Sequence, residues 1–367
     1  MQILNIIQCT NLGGMEQASL RLMKGLRGLG HTCHVLSLNP LGALRSVLEK
    51  NEITAEGLAY KGKGGWRSVG QLSRKLKSYK ADAVMMTGHN LLAMQALDRL
   101  ETGRMVLAMH FHHQGVKSPW QWKLIYWMAC RRFDAITYPS EFIRNEAIDL
   151  YPAIKDLSRV VRNPLEVPIL PTAEERNQAR AILELPVDAK LIGNAGWLIR
   201  RKRFDVFLNV AKLVADNNPE AIFVIAGDGE ERGELVRQAE ILGISNRIKW
   251  LGWQQDMAML YKALDVLLFN SDWDAFPTTP LEAMSYGLPV VASVENGGLK
   301  EAIQDTSHGY LFETHNIHAM AEAIDSCLTG SGRIIGLQAR ERVKALCGFN
   351  HCVREIECML TEGVTLQ

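Results

Sequence analysis

The sequence predicts an α/β protein of two facing, doubly wound domains with a cleft between them, and three observations predict it. Short apolar runs alternate with amphipathic stretches from end to end, the pattern of parallel strands separated by helices. About twelve such runs are present, too many for one small open sheet. Near the middle of the 367 residues, Pro164, Pro168 and Pro171 follow one another closely, ending a strand and opening a linker.

Taken in order, the first-half strand candidates are Ile3–Gln8, Cys33–Leu38, Ala83–Thr87, Val106–His110, Ala135–Tyr138 and Val160–Arg162. Each is short and mostly apolar, as a strand covered on both faces must be. Glu16–Leu29 is the first amphipathic helix. Beyond the linker, Thr172-Ala173-Glu174-Glu175 reads as a helix start. The strands Leu191–Ala195, Ile222–Ala226, Ile248–Leu251, Val266–Asn270, Val290–Ser293 and Tyr310–Phe312 follow. Helices Phe204–Asp216, Gly233–Leu242 and Ala319–Leu328 fall between them. The domains are therefore 1–165 and 166–349, with a helix at about 350–367 packing back on the first. Ligands are expected beyond the carboxyl ends of the strands.

Composition narrows the function. A 47% hydrophobic and 22% charged chain is neither disordered nor fibrous. The net charge of +1 hides a split: residues 1–165 carry 22 Lys and Arg against 12 Asp and Glu, and residues 166–367 carry 19 against 28. The first half is expected to face something anionic. No apolar run approaches a membrane span. The opening Met-Gln-Ile-Leu-Asn-Ile-Ile has no basic n-region, so no signal peptide is expected. Seven scattered cysteines fit free thiols in a reducing, cytoplasmic setting.

Several loops carry candidate chemistry. Gly13-Gly14 follows the first strand and precedes a helix; it is either a plain tight turn or a place where backbone N–H groups meet an anion. Gly-x-Gly-x-x-Gly is missing there. Gly227-Asp228-Gly229-Glu230-Glu231 carries three carboxylates and is expected to line the cleft without holding phosphate. Arg200-Arg201-Lys202-Arg203 follows a strand in an otherwise acidic half and suits a phosphate, with Arg203 read as part of a solvated helix face. Asp274 and Glu282 bracket a helix start at which Thr278 or Thr279 is expected to cap, presenting N–H groups to an anion. His110-Phe111-His112-His113 lacks metal-ligand spacing, and one histidine facing substrate is the better reading.

Together these pieces resemble the GT-B nucleotide-sugar glycosyltransferases of the large retaining family 4, over nearly the whole chain. Asp274-x7-Glu282 is similar to the family's Glu-x7-Glu motif, and Glu282-Ala283-Met284-Ser285-Tyr286-Gly287-Leu288-Pro289-Val290-Val291-Ala292 continues it. Gly297-Gly298, Glu301, Gly309-Tyr310-Leu311, Gly13-Gly14-x-Glu16, Ser140-Glu141 and Asn163 fall in the family's order. The resemblance implies two Rossmann-like domains, a first one binding acceptor and a second binding a UDP- or GDP-sugar.

It also assigns roles. Glu282 is matched to the ribose, Asp274, Phe276 and His110 to the donor sugar, with His112 the alternative to His110. Lys202 and Arg201 are matched to the diphosphate, together with Gly13, Gly14, Thr278 and Thr279. Asp274, Lys202 and His110 form the implied catalytic set, with no metal and no cofactor. Asp274 is one methylene shorter than the family's Glu. Trp197 stands where the family has Arg, leaving Arg200 and Arg201 as candidates for that charge. The expected acceptor is a glycan or lipid-linked molecule, not nucleic acid. A nucleotide-sugar 2-epimerase and a non-catalytic nucleotide-sugar-binding protein are the alternatives. From Lys61 to Lys80 there are seven basic residues and no acid, and Trp120, Trp122 and Trp127 lead to Arg131-Arg132. An anionic membrane surface is the partner this implies, against a solvated face over core aromatics.

Overall fold

The computed structural model describes residues 1–11, 13–58, 66–97, 103–111, 113 and 117–361. His112 and the 61–65 part of the basic stretch lie outside the described residues. The chain divides into two compact units, Met1–Pro164 with Cys347–Gln367, and Leu165–Leu346.

The first unit runs β1 (Gln2–Ile7), α1 (Gly14–Gly28), β2 (Thr32–Ser37), α2 (Arg45–Lys50), β3 (Thr54–Gly57), α3 (Trp66–Ser78) and β4 (Ala83–Thr87). It continues through α4 (Leu91–Leu97), β5 (Met105–Ala108), α5 (Pro119–Arg132), β6 (Ala135–Tyr138), α6 (Glu141–Leu150) and β7 (Ser158–Val160). The strands pair in parallel in the order β3-β2-β1-β4-β5-β6-β7. β4, Ala-Val-Met-Met-Thr, is buried along its whole length. Helices on both faces of the sheet make continuous apolar runs the right pattern for such strands. The order reverses between β1 and β4, so the loops after these two strands flank the switch point where doubly wound sheets bind ligands.

The second unit contains α7 (Ala173–Ile182), β8 (Lys190–Ala195), α8 (Phe204–Asn217), β9 (Ala221–Ala226), α9 (Arg232–Ile241) and β10 (Ile248–Gly252). Then come α10 (Met257–Ala263), β11 (Val266–Asp274), α11 (Thr278–Ser285), β12 (Val290–Gly297), α12 (Leu299–Ala302), β13 (Tyr310–Phe312), α13 (Ile317–Cys327) and α14 (Gly330–Cys347). Thr172 starts α7 with a reciprocal cap: its Oγ1 accepts from Glu175 N, and Glu175 Oε2 accepts from Thr172 N. The parallel order is β10-β9-β8-β11-β12-β13, with its switch point between β8 and β11.

The last helix, α15 (Phe349–Thr361), returns to the first unit. Cys352, Val353, Ile356 and Leu360 share a core with Met23 and Leu26 of α1. A Cβ on Gly25 would stand 2.3 Å from Val353 Cγ2, so the bare backbone of α1 sets how closely α15 packs. His31 Nε2 and Glu357 Oε1 meet at 2.8 Å.

Four expectations are corrected. β3 was absent from the sequence pattern because Thr-Ala-Glu-Gly is an edge strand with no buried residue. β5 stops at Ala108, which leaves His110 in the following loop. The last strand of this unit is Ser158–Val160, two residues earlier than its apolar run. β11 continues four residues past Asn270 to Asp274, where Ser271, Trp273 and Asp274 pair with an equally extended β12. Polar residues hid this extension.

Candidate functional site

Both switch points collect the residues of interest, each within its own unit. In the second unit, β8 ends at Ala195 and the chain turns through Gly196, at φ 153°, to the exposed Trp197. Gly227 N donates to Gly252 O at 2.7 Å, and Leu198 N donates to Asp228 O at 3.0 Å. These bonds tie together the loops after β8, β9 and β10. A Cβ on Gly227 would fall 1.9 Å from Gly196 O, and one on Gly229 2.4 Å from Leu198 O. Close loop packing therefore accounts for the glycines of Gly227–Glu231. Trp197 packs on Trp253 with ring centroids 4.7 Å apart.

The basic run forms a single 3-10 turn, Arg200–Lys202. Lys202 Nζ donates to Asp274 Oδ2 at 2.6 Å and lies 4.9 Å from the Phe269 ring centroid. Arg201 donates to Trp273 O at 2.9 Å, reaches Asp274 Oδ2 at 3.4 Å, and lies over the Trp273 ring at 4.4 Å. Asp274, expected at a sugar, and Lys202, expected at a phosphate, are thus one ion pair. The extension of β11 makes this possible, because it carries Asp274 beside the 3-10 turn.

Arg203 is not a solvated face residue. It holds a left-handed backbone at φ 45° as N-cap of α8. Its guanidinium binds Asp205 and Asp272 at 2.9–3.0 Å. Those two carboxylates hold its pKa above the ordinary arginine value, so Arg203 locks the turn that presents its neighbours.

The expected threonine cap of α11 is also corrected. Pro277 is the N-cap and has no side-chain acceptor; Thr278 and Thr279 are the first two helical residues. Pro280 at the third position forfeits only an N–H that has no partner within the helix. Thr279 Oγ1 donates to Ala195 O at 3.4 Å, fixing this helix start beside the Gly196 turn. Phe276 is buried at 4% exposure. Glu282, one turn into α11, accepts from Tyr261 Oη at 2.8 Å. Tyr261, on α10, was missed, since nothing in the sequence marks a tyrosine 21 residues upstream as a partner.

In the first unit, Gly13 is the extended N-cap of α1 and Gly14 its first residue. A Cβ on Gly13 would lie 2.3 Å from Glu16 Oε2, and Glu16 Oε1 accepts from Cys9 Sγ at 3.3 Å. The glycine makes room for this carboxylate at the helix start, where an acid is favoured. After β4 and β5 come two histidines whose pKa values burial lowers to about 4, His89 and His110; Lys117 and His113 add to the effect at His89. Both imidazoles are neutral at pH 7. The buried His113 anchors the loop that carries His110. Its Nδ1 meets Glu146 Oε2 at 2.8 Å, its Nε2 meets Tyr126 Oη at 2.5 Å, and its carbonyl accepts from Trp122 Nε1 at 3.0 Å. Among the described residues no cluster of three His, Cys, Asp or Glu side chains has metal-ligand geometry.

A model described as glycosyl transferases group 1 matches residues 175–344, and one described as glycosyltransferase family 4 matches 12–167. An Escherichia coli UDP-Gal:alpha-D-GlcNAc-diphosphoundecaprenol alpha-1,3-galactosyltransferase is 28% identical over 202 residues, 51% of each chain. The lipopolysaccharide core biosynthesis glycosyltransferase LpsE of Rhizobium meliloti is 32% identical over 147 residues, 40% of this chain and 42% of the relative. The chain thus spans about half the length of the relatives it matches. In fold, Anabaena Alr3699/HepE, solved with UDP and glucose, superposes with a TM-score of 0.86 at 19% identity, over 97% of this chain and 98% of that one. The fold is therefore of the GT-B kind, two α/β domains each built on a parallel sheet.

Proposed function

The chain belongs to the group 1 glycosyltransferases, and from that premise we propose that it moves a hexose from a UDP- or GDP-sugar to a glycan or lipid-linked acceptor with retention of configuration. The observation that carries this reading is the meeting of Lys202, Arg201 and Asp274 beside the first turn of α11, at the switch point of the second sheet.

When the bond between the anomeric carbon and the diphosphate breaks, its electron pair leaves on the phosphate oxygen. Cations and oriented N–H groups aimed at that oxygen lower the barrier. Lys202, Arg201 and the N–H groups of Thr278 and Thr279 take that role, without a metal. For Lys202 this means exchanging its Asp274 partner for phosphate, which frees the carboxylate for sugar hydroxyls. Glu282, oriented by Tyr261, takes the ribose. The acceptor oxygen bonds to the anomeric carbon on the face the diphosphate leaves, and its proton passes to the departing phosphate oxygen. His110 contacts the donor sugar as an uncharged hydrogen-bonding group. The relatives named for a diphosphoundecaprenol-linked sugar and for lipopolysaccharide core biosynthesis support an acceptor of the lipid-linked or glycan class.

A mass-spectrometric screen of UDP- and GDP-sugars against lipid-linked and glycan acceptors tests the reading. A glycosylated product with the donor's anomeric configuration is expected, and a chelator is expected to leave its rate unchanged. Epimerised donor without acceptor transfer, or binding without turnover across the panel, would contradict it.

A further inference from the structure

We propose that Glu146 is a positioning residue for the transfer: through His113 it sets where the loop after β5 holds His110. The proposal rests on the proposed function for the role of His110, though not for its geometry.

The loop is held from two helices at once. Glu146 lies on α6, whose start is fixed by Ser140 Oγ accepting from Ile143 N at 3.3 Å. Its Oε2 accepts from His113 N at 3.1 Å and meets His113 Nδ1 at 2.8 Å. An ionised carboxylate only accepts, so Nδ1 is the donor, and one oxygen fixes both the backbone and the ring. From α5, Trp122 Nε1 donates to His113 O at 3.0 Å, and Tyr126 Oη meets His113 Nε2 at 2.5 Å. The Tyr126 ring stacks on those of Trp122 and Tyr151, with centroids 6.3 and 6.5 Å away, which fixes its hydroxyl. The N–H, the C=O and both ring nitrogens of His113 are therefore all engaged.

Such a network is a costly way to fill a core. The His113 side chain is 4% exposed and that of Glu146 16%. Apolar groups of the same shape would often stabilise a core as well, whereas this network admits one geometry. What that geometry serves lies three residues away. Phe111, next to His110, packs on His89 with ring centroids 4.9 Å apart. His89 in turn packs on Trp122 at 4.8 Å, and Trp122 on His113 at 4.8 Å. The loops after β4 and β5 thus share one wall, and Glu146 braces it through His113. A displacement of about 1 Å at a group that contacts the reacting sugar can cost about a hundredfold in rate, so loss of the brace falls on turnover.

Steady-state transfer by the full chain, together with histidine ring spectra of nitrogen-15-labelled protein, tests this. Glu146→Ala is expected to lower kcat by about tenfold to a hundredfold, more than it changes KM, and to leave calorimetric affinity for UDP or GDP as in wild type. Glu146→Gln keeps an oxygen that accepts the same two bonds and is expected to stay within about threefold of wild type. The spectra read position without turnover: Glu146→Ala should lose the His113 Nδ1–H signal and shift the His110 ring signals, and Glu146→Gln should preserve both. Where Glu146→Ala does not fold, Tyr126→Phe removes only the hydroxyl at Nε2. It is expected to lower kcat by about threefold to tenfold, with a shift at His110. An alanine variant that melts earlier but keeps its kcat, a glutamine variant as slow as the alanine one, or unmoved His110 signals in a folded variant would overturn the proposal. Wild type without transfer, whose His110 signals still move in Glu146→Ala, counts against the proposed function alone. Transfer with a kcat indifferent to Glu146→Ala and Tyr126→Phe counts against this inference alone.

Discussion

The two switch points of this chain share a topology, and the loops around them differ in chemistry. In the second unit, the loop after β8 and the end of β11 carry Arg201, Lys202 and Asp274, charged and bonded to one another. In the first, the loop after β4 and the neighbouring loop after β5 carry His89 and His110, which burial keeps uncharged, while the loop after β1 leads to Glu16 in the first turn of α1. In the proposed function the charged cluster meets the group whose charge changes during reaction, and the neutral imidazole meets sugar hydroxyls. Doubly wound sheets supply the position, and a few loop residues decide what can happen there.

The contrast can be broken from the charged side first. Lys202→Ala is expected to reduce turnover by about a hundredfold to a thousandfold, the usual loss for one group aimed at developing charge. Steady-state kinetics should show the loss in kcat more than in KM; a pure KM effect would put Lys202 outside the transition state. Glu282→Ala is expected to weaken donor binding by about a hundredfold, since two hydrogen bonds to a charged group are lost. Tyr261→Phe should weaken it by only about threefold to tenfold, because it removes one hydrogen bond that orients the carboxylate. Calorimetry with the donor ranks the two.

The uncharged side is sharpened by pH. Both half-buried imidazoles have folded pKa values near 4, below the ordinary 6.5. The unfolded chain therefore takes up these protons first, and stability falls progressively as pH drops from about 6.5 to about 4, by at most about 3 kcal/mol for each histidine. Denaturant unfolding at about pH 7.5 and about pH 5 should reveal the loss, and His110→Asn should make it smaller. An unchanged pH dependence in that variant would show that His110 is not held neutral by its surroundings.

Local pattern made much of this chain legible. Buried parallel strands must be apolar throughout, so β1, β4, β8 and the first part of β11 stood out as runs. The α7 cap was visible because all its partners lie within four residues. What stayed hidden depends on distant partners. Asp274 is paired with Lys202 across 72 residues, Arg203 with Asp272 across 69, and His113 with Glu146 across 33. The polar end of β11 looked like a loop because its hydrogen-bonding partner is β12, not its own neighbours. The α11 cap was misread because threonine favours an N-cap in isolation, whereas Pro277 holds the extended backbone there.

The central claim is that Lys202, Arg201 and the start of α11 grip the diphosphate while Glu282 grips the ribose. Calorimetric titration of UDP against UMP, repeated with the guanosine pair, tests it most directly on wild type, Lys202→Ala and Glu282→Ala. One diphosphate is expected to bind wild type much more tightly than its monophosphate. Lys202→Ala should erase most of that difference, and Glu282→Ala should weaken both nucleotides alike. Equal binding of mono- and diphosphate in both pairs, or a difference that survives Lys202→Ala, would contradict the account.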